Sequence, residues 1–501
     1  MTGSHASRWR GAGSRLVLSV WLVYALFATT NVARETYLAL SLAERGSIRV
    51  DEYLGLHSDL FEIPGRGGYI NNNPGASVAG AVPLVVARPV LAALFAWKPA
   101  LVAPKPPAAY DDPRPNRSKF MNAARARGLD IKLGLAALIT GVGAMAPLGA
   151  LAAWLLFRYL THRGHDERAA AGWALLYAFG TPLLFRSAFL NQNALLTHTM
   201  LGSWIAMTGW RPRAPDAPVP LAAMALAGLL LGFGLLCDYS AAPLLVVFGL
   251  WSMTAGWHGG GARGAIVGGA AFTAGALPMI ALLLGYQQLA FGAPWFPAQR
   301  YMPATEYSVI GWNGFFVPTR ELLLGNLFDG RYGLFAFCPL LALGLAAWWA
   351  PEASRRRYGP MGWALATCAA LYVFSSANQF ANLQWNTGVR YLVPLVPLLF
   401  LLAIPVLQRL PLAARWLLVG SSLVISLVVS MTRESVPDAL ALVAQSGPTL
   451  PVFLVLEKMA SGYPALQFGV WGPLGALALA TGCLAALWWP ELRAPAGRRQ
   501  A

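Results

Sequence analysis

The chain has 501 residues, of which 57% are hydrophobic and 12% charged, with a net charge of +16. Its mean hydropathy is +0.52. A soluble protein of this size carries about 25% charged residues, so the composition excludes a soluble globular domain and predicts a polytopic membrane protein. The Arg residues stand in small groups between apolar runs and form no basic face, which excludes nucleic-acid binding as the reason for the charge.

The N-terminal segment combines basic residues with the first apolar run. Arg8, Arg10 and Arg15 precede a run over residues 16–32. The pattern imitates a signal peptide, but no small-residue cleavage site is obvious and further runs follow. We therefore predict a cytoplasmic N-terminus at 1–15, a retained transmembrane helix at 16–32 and a long extracytoplasmic loop at 33–130.

The later apolar runs predict the body of the protein. A bilayer core about 30 Å thick needs about 20 apolar residues per helix. About twelve crossings are predicted, at 16–32, 132–157, 169–189, 194–210, 219–237, 240–256, 264–289, 332–350, 361–377, 391–407, 413–431 and 470–489. The transmembrane core is 131–431, a second extracytoplasmic loop is 432–469, and the last helix with a basic cytoplasmic tail is 470–501. Every short inside loop then carries Arg, as the positive-inside rule requires.

One further apolar run, Ala76 to Trp97, is not counted as a crossing. If it crossed, the alternation of basic loops would fail from the second loop onward. Pro83, Arg88 and Pro89 suit a membrane interface better than a bilayer centre. We predict a re-entrant or juxtamembrane helix here, and an all-α fold for the whole chain.

The first outer loop gathers polar chemistry in an otherwise apolar chain. It supplies Arg34, Glu35, Asp51, Glu52 and Asp59 ahead of the turn "NNNPG". A carboxylate just above a membrane can act as general base on a hydroxyl, or hold a divalent metal against a phosphate. The alternative is a solvated loop, but apolar proteins have little reason to concentrate charge at a membrane-adjacent turn.

Four further candidates lie on the same side in this topology. His198 follows "NQNALLT" at an outer helix end, where a lone His is more often structural than catalytic. Asp238 stands between two apolar runs, where an isolated carboxylate is costly unless used or paired. Arg331 and Arg390 stand at outer helix ends; their planar forks suit a phosphate, and interfacial snorkelling is the alternative.

The order of several motifs along most of the chain resembles a known family. These are "ARETYLALSLAERGSIRVDEY", "GGYINNNPGASVAGAVP", "FGTPLLFRSAFLNQNALLTH", "GLLLGFGLLCDYSAAP", "LAFGAPWFPAQRY", "GRYGLFAFCP" and "VRYLVPLVP". They resemble the GT-C superfamily of membrane glycosyltransferases, especially bacterial relatives of the protein mannosyltransferase and aminoarabinose transferase group. The resemblance implies transfer of a sugar from a polyprenyl-phosphate donor to an acceptor outside the inner (plasma) membrane.

The resemblance also implies roles for residues. Asp51 and Asp59 become the leading candidates for the base, with Glu35 third, and a bend at Gly55 would bring the two Asp together. The donor phosphate is assigned to Arg34, Arg331, Arg390 and Asn73, and supporting or acceptor contacts to Tyr69, Glu52, His198 and Asp238. Two positions depart from the family: Arg34-Glu35 stands where an Asp-Glu pair is frequent, and Asn73 where a Lys often precedes the Pro.

Other readings stay open from the sequence. A transporter or flippase of a lipid-linked saccharide would need polar groups through the bilayer midplane, often in two related halves. An assembly factor without enzymatic activity would make the acidic loop incidental. The acceptor is open among glycan, lipid and protein, and a divalent metal ion is open as a cofactor; membrane lipids are expected partners and nucleic acid is not.

Overall fold

The computed structural model describes residues 3–110, 115–213, 217–349, 357, 359–459 and 467–492. The predicted basic tail beyond residue 492 lies outside the described residues. The α-helices in the first half of the chain are α1 (Gly3–Leu26), α2 (Arg34–Arg45), α3 (Gly75–Trp97), α4 (Pro115–Ala126), α5 (Asp130–Thr140), α6 (Ala146–His162), α7 (Glu167–Phe179), α8 (Leu183–Arg186), α9 (Gln192–Thr208) and α10 (Leu221–Cys237).

The second half of the chain is also helical. Its α-helices are α11 (Ala241–Phe291), α12 (Arg320–Phe328), α13 (Leu334–Phe337), α14 (Met361–Ala377), α15 (Val396–Leu407), α16 (Leu412–Thr432), α17 (Val436–Ser446), α18 (Pro451–Lys458) and α19 (Trp471–Leu492). Segments of 3-10 helix cover Asp51–Tyr53, Pro99–Leu101, Ala298–Arg300, Pro339–Trp349, Gln379–Asn386 and Val393–Leu395.

Each of the predicted apolar runs coincides with helix, although some helices are interrupted. The run 169–189 is broken into α7 and α8 because Gly180 ends the first helix and Pro182 begins the second. A five-residue π-helical turn, Gly141–Met145, joins α5 to α6, so that the two form one continuous helix of 33 residues. Within α11 the backbone leaves helical geometry at Gly260 and Gly261. There α11 reverses direction, because the backbones of Gly256 and Gly264 lie against one another.

The number of crossings stays a prediction. By length and composition, five of the described helices can cross a membrane, or six if the bent pair α17 and α18 is one broken span or re-entrant loop. Five further apolar helices among the described residues are shorter. The pair α17 and α18, bent by 76°, occupies much of the segment predicted as the second outer loop.

The segment predicted as a re-entrant or juxtamembrane helix is one continuous helix, α3, of 23 residues. Its two internal prolines do not divide it, and it is long and apolar enough to cross a membrane. Gly75 packs against the backbone of Leu236 at its start, and Val102 just beyond its end lies against Gly128. Whether α3 crosses the membrane or lies along it stays a prediction.

A short β-hairpin accompanies the otherwise helical fold. Strands β1 (Leu60–Ile63) and β2 (Gly67–Ile70) pair antiparallel, with Leu60 opposite Ile70. The turn between them contains Pro64 followed by glycines at positive φ, the residues that a tight reversal favours. Leu60 and Phe61 of β1 and Tyr69 and Ile70 of β2 are buried, whereas Glu62 is exposed.

The buried apolar side chains form two main clusters. The bundle core joins α1, α6, α7, α9, α15 and their neighbours. A second cluster, the loop core, is built mainly from α2, the hairpin and the start of α3, and it packs on Leu190, Cys237 and Phe291. Residues 27–33 link the end of α1 to α2, so the start of α2 lies next to the junction of the two clusters.

Candidate active site

Three consecutive asparagines follow β2, and each side chain has a different partner. Asn71 Nδ2 donates to Asp59 Oδ1 at 2.9 Å, and Asn72 Nδ2 donates to Glu35 Oε1 at 2.8 Å. Asn73 Nδ2 donates to the carbonyl of Leu235 at 2.7 Å, near the end of α10. Two amides therefore hold the acids of the loop, and the third fastens the turn to the helix bundle.

Arg34 joins the two acids. Its Nη1 donates to Asp59 Oδ2 at 2.5 Å and its Nε donates to Glu35 Oε1 at 3.2 Å. Glu35 is almost fully buried, whereas a quarter of the Asp59 side chain is exposed. Asp59 has hydrogen bonds to both carboxylate oxygens, whereas Glu35 Oε2 accepts no hydrogen bond from the described residues.

The electrostatics of the loop favour an ionised Asp59. Burial raises the pKa of Asp59, but the charges of Arg34 and His57 and the hydrogen bond from Arg34 bring it below its ordinary value. Burial lowers the pKa of Arg34, and the nearby Asp59 and Glu35 reverse this and raise it. Burial also lowers the pKa of His57, so this ring is neutral at pH 7 and its Nδ1 accepts from the Asp59 backbone at 3.0 Å.

Further guanidinium groups gather beside this acid pair. Arg390 acts electrostatically on Asp59, and Arg186 is within electrostatic range of Arg34, Glu35, Arg390 and Arg433. The Nε atoms of Arg186 and Arg390 are buried and have no hydrogen-bond partner among the described residues. Buried donors without partners are rare in native proteins and indicate a position that a ligand can fill.

Arg186 and Arg433 are held in place by aromatic rings and carbonyls. Arg186 Nη1 donates to the carbonyl of Thr387 at 3.2 Å, and Arg433 Nη1 donates to the carbonyl of Phe185 at 3.0 Å. Both guanidiniums lie over the rings of Phe185 and Phe189. No carboxylate among the described residues forms an ion pair with Arg186 or Arg390 within 4.0 Å, so their charges stay available to an anion.

A chain of buried amides positions Arg390. Gln384 Oε1 accepts from the backbone N–H groups of Arg390 and Tyr391, both at 3.0 Å. Gln384 Nε2 donates to Asn326 Oδ1 at 2.8 Å, and Asn326 in turn donates to Ser376 at 3.2 Å. The chain therefore ties the residues before α15 to α12 and α14.

The acids of the site do not fit a divalent metal. No group of three or more His, Cys, Asp or Glu residues with metal-ligand spacing occurs among the described residues. Glu35 and Asp59 share Arg34, and Arg186 and Arg390 lie close by, so a cation placed between the acids would meet several positive charges. The chemistry that this arrangement supports is recognition of an anion next to two carboxylates.

Asp51 is not part of this cluster, which corrects the expectation that it meets Asp59. Gly55 does bend the chain, with φ +82°. However, Asp51 Oδ1 accepts from Gly68 N–H at 2.5 Å, whereas the Asp59 carbonyl accepts from Asn71 N–H at 2.9 Å. Gly68 and Asn71 lie roughly 10 Å apart along an extended strand, so the two acids hold opposite ends of the hairpin.

The neighbours of Asp51 form their own surface network. Asp51 pairs with Arg49 at 2.9 Å, and Glu52 pairs with Arg45 and with Lys132 at 3.4 Å. About half of the Asp51 side chain is exposed. These ion pairs tie the loop core to the start of α5, which is a structural role for Glu52.

Only some of the residues predicted to contact the donor phosphate belong to the cluster around Arg34. Arg34 and Arg390 are in the cluster, but Arg331 is more than half exposed and pairs with Asp329 at 2.7 Å. The expected convergence of Arg331 and Arg390 on one cavity is therefore not seen among the described contacts. The Asn73 amide is committed to the Leu235 carbonyl, so it also lies outside the anion-facing group.

Two of three supporting candidates, Tyr69 and Asp238, have local hydrogen-bond partners, and His198 has none among the described residues. Tyr69 donates its hydroxyl to the carbonyl of Arg66 at 3.1 Å and packs edge-on against Phe291. Asp238 Oδ1 accepts from Ser240 N–H at 2.8 Å in a turn after α10. His198 lies inside α9 with both ring nitrogens buried and without partners among the described residues.

The sequence analysis missed Asn71, Asn72, Arg186, Arg433 and Gln384. Arg186 had a signal, because a cation inside an apolar run is costly and therefore marks a functional or paired position. It was absorbed into the predicted span 169–189. The other four are polar residues near turns, and no feature of the sequence distinguishes them from ordinary turn residues.

Fold and site together define a multi-pass helical membrane protein with a partly buried cluster of acids and guanidiniums at one end of its bundle. No protein-family model and no curated protein matches the sequence. Two solved structures are similar. ArnT from Cupriavidus metallidurans in the apo state has a TM-score of 0.47 and 16% identity, over 96% of this chain and 77% of that chain. The same protein bound to undecaprenyl phosphate has a TM-score of 0.46, with equal identity and coverage.

ArnT is an aminoarabinose transferase of the GT-C type, the group that the sequence motifs resemble.

Proposed function

We propose that this protein is a membrane glycosyltransferase that moves a sugar from a polyprenyl-phosphate donor to an acceptor hydroxyl on the extracytoplasmic side of the inner (plasma) membrane. The observation that carries the proposal is the pair of guanidiniums of Arg186, which is buried, and Arg390, which is partly buried; the Nε atom of each is buried and has no partner among the described residues. They lie within electrostatic range of the acid pair Glu35 and Asp59. An anion site beside a carboxylate is what transfer from a phosphate-linked sugar requires.

In the proposed reaction Glu35 is the base. Its Oε2 is the one carboxylate oxygen of the pair that accepts no hydrogen bond from the described residues, so it can receive a proton. The acceptor oxygen forms a bond to the anomeric carbon while the carbon–oxygen bond to phosphate breaks. The hydroxyl proton goes to Glu35, and the electron pair of the broken bond stays on the leaving phosphate.

The remaining residues hold this geometry. Asp59, ionised and fixed by Arg34 and Asn71, keeps Arg34 in place beside Glu35. Asn71 Oδ1 is buried without a partner among the described residues and can accept a hydrogen bond from a sugar hydroxyl. Arg186 and Arg390 face the phosphate.

The charge of the cluster suits a phosphate. Four guanidiniums, Arg34, Arg186, Arg390 and Arg433, accompany the carboxylates Glu35, Asp59 and Glu434, which leaves one positive charge. A phosphodiester donor carries one negative charge, whereas a released phosphate monoester carries about −1.5 to −2 at pH 7. A site that binds the developing charge more strongly than the substrate lowers the barrier.

The transporter reading predicts ionisable groups through the bilayer midplane. The buried acids and guanidiniums named here instead gather at one end of α1, beside the loop core. This distribution favours the transferase.

The test uses the purified full chain and a panel of undecaprenyl-phosphate sugars, with release of undecaprenyl phosphate as the readout. Glu35→Gln should lower release by at least about 100-fold, the scale of losing a general base. Arg390→Gln should lower release by a similar factor through loss of charge stabilisation. Arg331→Gln is the matched control, an outer Arg with a local partner, and should release at the wild-type rate. Equal activity of Glu35→Gln and wild type would remove Glu35 as base, and no release from any donor would overturn the function.

A further inference from the structure

A second polar cavity lies at the opposite end of the bundle. It has a volume of about 260 Å³ and lies between α1, α6 and the start of α7. Its lining includes Gly13, Trp154, Phe157, Arg158 and Glu167. Gly13 lies about 20 Å before the end of α1 at 1.5 Å per residue, and the Arg34 cluster lies beyond that end of the helix.

Two opposite charges face this cavity without closing an ion pair. Arg158 acts electrostatically on Glu167, but the two side chains do not come within ion-pair distance among the described residues. Oε2 of Glu167 is buried and has no hydrogen-bond partner there. Arg158 Nη2 contacts His162 Nε2 at 3.4 Å, which leaves its other donors uncommitted among the described side chains. The cavity therefore presents an acceptor on one wall and a cation on another.

An exposed apolar track continues from the cavity along the bundle. Leu18 and Trp21 on α1 are 43% and 42% exposed, and Leu151 on α6 is 46% exposed. Leu18 follows the cavity by one turn of α1, and Leu151 precedes Trp154 by one turn of the antiparallel α6. Trp21 donates its indole N–H to the carbonyl of Val142, which fixes the two helices along this track.

We propose that this cavity binds the headgroup of an amine-bearing phospholipid of the phosphatidylethanolamine type. Its phosphate pairs with Arg158, its ammonium donates to Glu167, and one acyl chain follows the track of Leu18, Trp21 and Leu151. The charge pattern selects a zwitterion with a primary ammonium, because an anionic headgroup leaves Glu167 unpaired and a quaternary amine cannot donate to it. The site lies across the membrane from the transfer site and does not depend on the proposed function.

The proposal is tested by native mass spectrometry of the purified, delipidated full chain with phosphatidylethanolamine, phosphatidylcholine or phosphatidylglycerol added. Wild type should retain phosphatidylethanolamine at least about five-fold over the other two, the scale of one partly solvated ion pair. Glu167→Gln should bring this ratio below about two. Arg158→Gln should lower retention of all three lipids, since each has a phosphate.

Two further variants keep the test decisive. Arg168→Gln, an exposed cation next to Glu167, is the matched control and should keep the wild-type preference. Thr161→Phe fills the cavity without a change of charge and should lower retention even if Glu167→Gln does not fold. Equal retention of all three lipids by wild type, or an unchanged preference in Glu167→Gln, would overturn the proposal.

Discussion

Replacement of Gln384 by Leu should disable the proposed transfer by moving Arg390. Gln384 Oε1 accepts from the backbone N–H groups of Arg390 and Tyr391, and its Nε2 donates to Asn326. Leu has a similar volume but no polar atom, so two N–H groups and one amide oxygen lose their partner. Each buried donor left without an acceptor costs about 1 to 3 kcal/mol.

Two outcomes are physically open to the variant. A rigid chain would lose roughly 2 to 6 kcal/mol of unfolding free energy, because two donors stay unpaired. A chain that relaxes would recover part of this loss by moving Arg390, and a displacement of about 1 Å at a reacting centre lowers turnover by about 100-fold. Gln384→Glu keeps an oxygen for both N–H groups and should lose less turnover than Gln384→Leu.

The assay is a double-mutant cycle on release of undecaprenyl phosphate, with thermal unfolding recorded for each protein. If Gln384 acts through Arg390, the losses of Gln384→Leu and Arg390→Gln should not add, and the double variant should be no slower than Arg390→Gln. Additive losses would show that Gln384 acts elsewhere. Wild-type turnover in a folded Gln384→Leu protein would refute the positioning argument.

The remaining predictions concern the loop. The folded pKa of Asp59 is depressed, so its stabilising contribution is present above the unfolded pKa of about 4 and is lost as pH falls through the folded value. Asp59→Asn should therefore flatten the fall of the unfolding temperature below about pH 5 relative to wild type, and an equally steep fall would contradict the pairing with Arg34. Asp51→Asn should keep turnover within about two-fold, because Asp51 pairs with Arg49 on the surface; a large loss would return it to the active site. A Cys placed at exposed Ser58 should react with an impermeant maleimide added outside intact cells; labelling from the inner face alone would reverse the predicted topology.

The sequence predicted the helices better than their roles. Every apolar run of membrane length coincides with helix, because a segment in a bilayer has to satisfy its backbone hydrogen bonds internally. The runs could not predict that α3 is continuous through Pro83 and Pro89, since neighbouring segments decide whether a proline divides a helix.

The site was predicted in pieces. Arg34, Glu35, Asp59 and Arg390 were each candidates, but their assembly depends on contacts between residues 25 to several hundred positions apart. The hairpin explains why Asp51 was misplaced. Counting residues from Asp51 to Asp59 suggested proximity, whereas the pairing of β1 with β2 places the two acids at opposite ends of the sheet.

The position of the cluster between the two apolar cores affects how the protein loses its structure. Glu35 and Asp59 belong to the loop core, whereas Arg186 and Arg390 are anchored on the bundle core. When no anion is bound, repulsion among the guanidiniums opposes close packing of the loop core on the bundle core. A bound anion would hold the two cores together. Amide hydrogen exchange should therefore slow in both cores at once when undecaprenyl phosphate is added. A chain with its loop detached would lose the acids and keep the guanidiniums, and it would then bind phosphate without transferring a sugar.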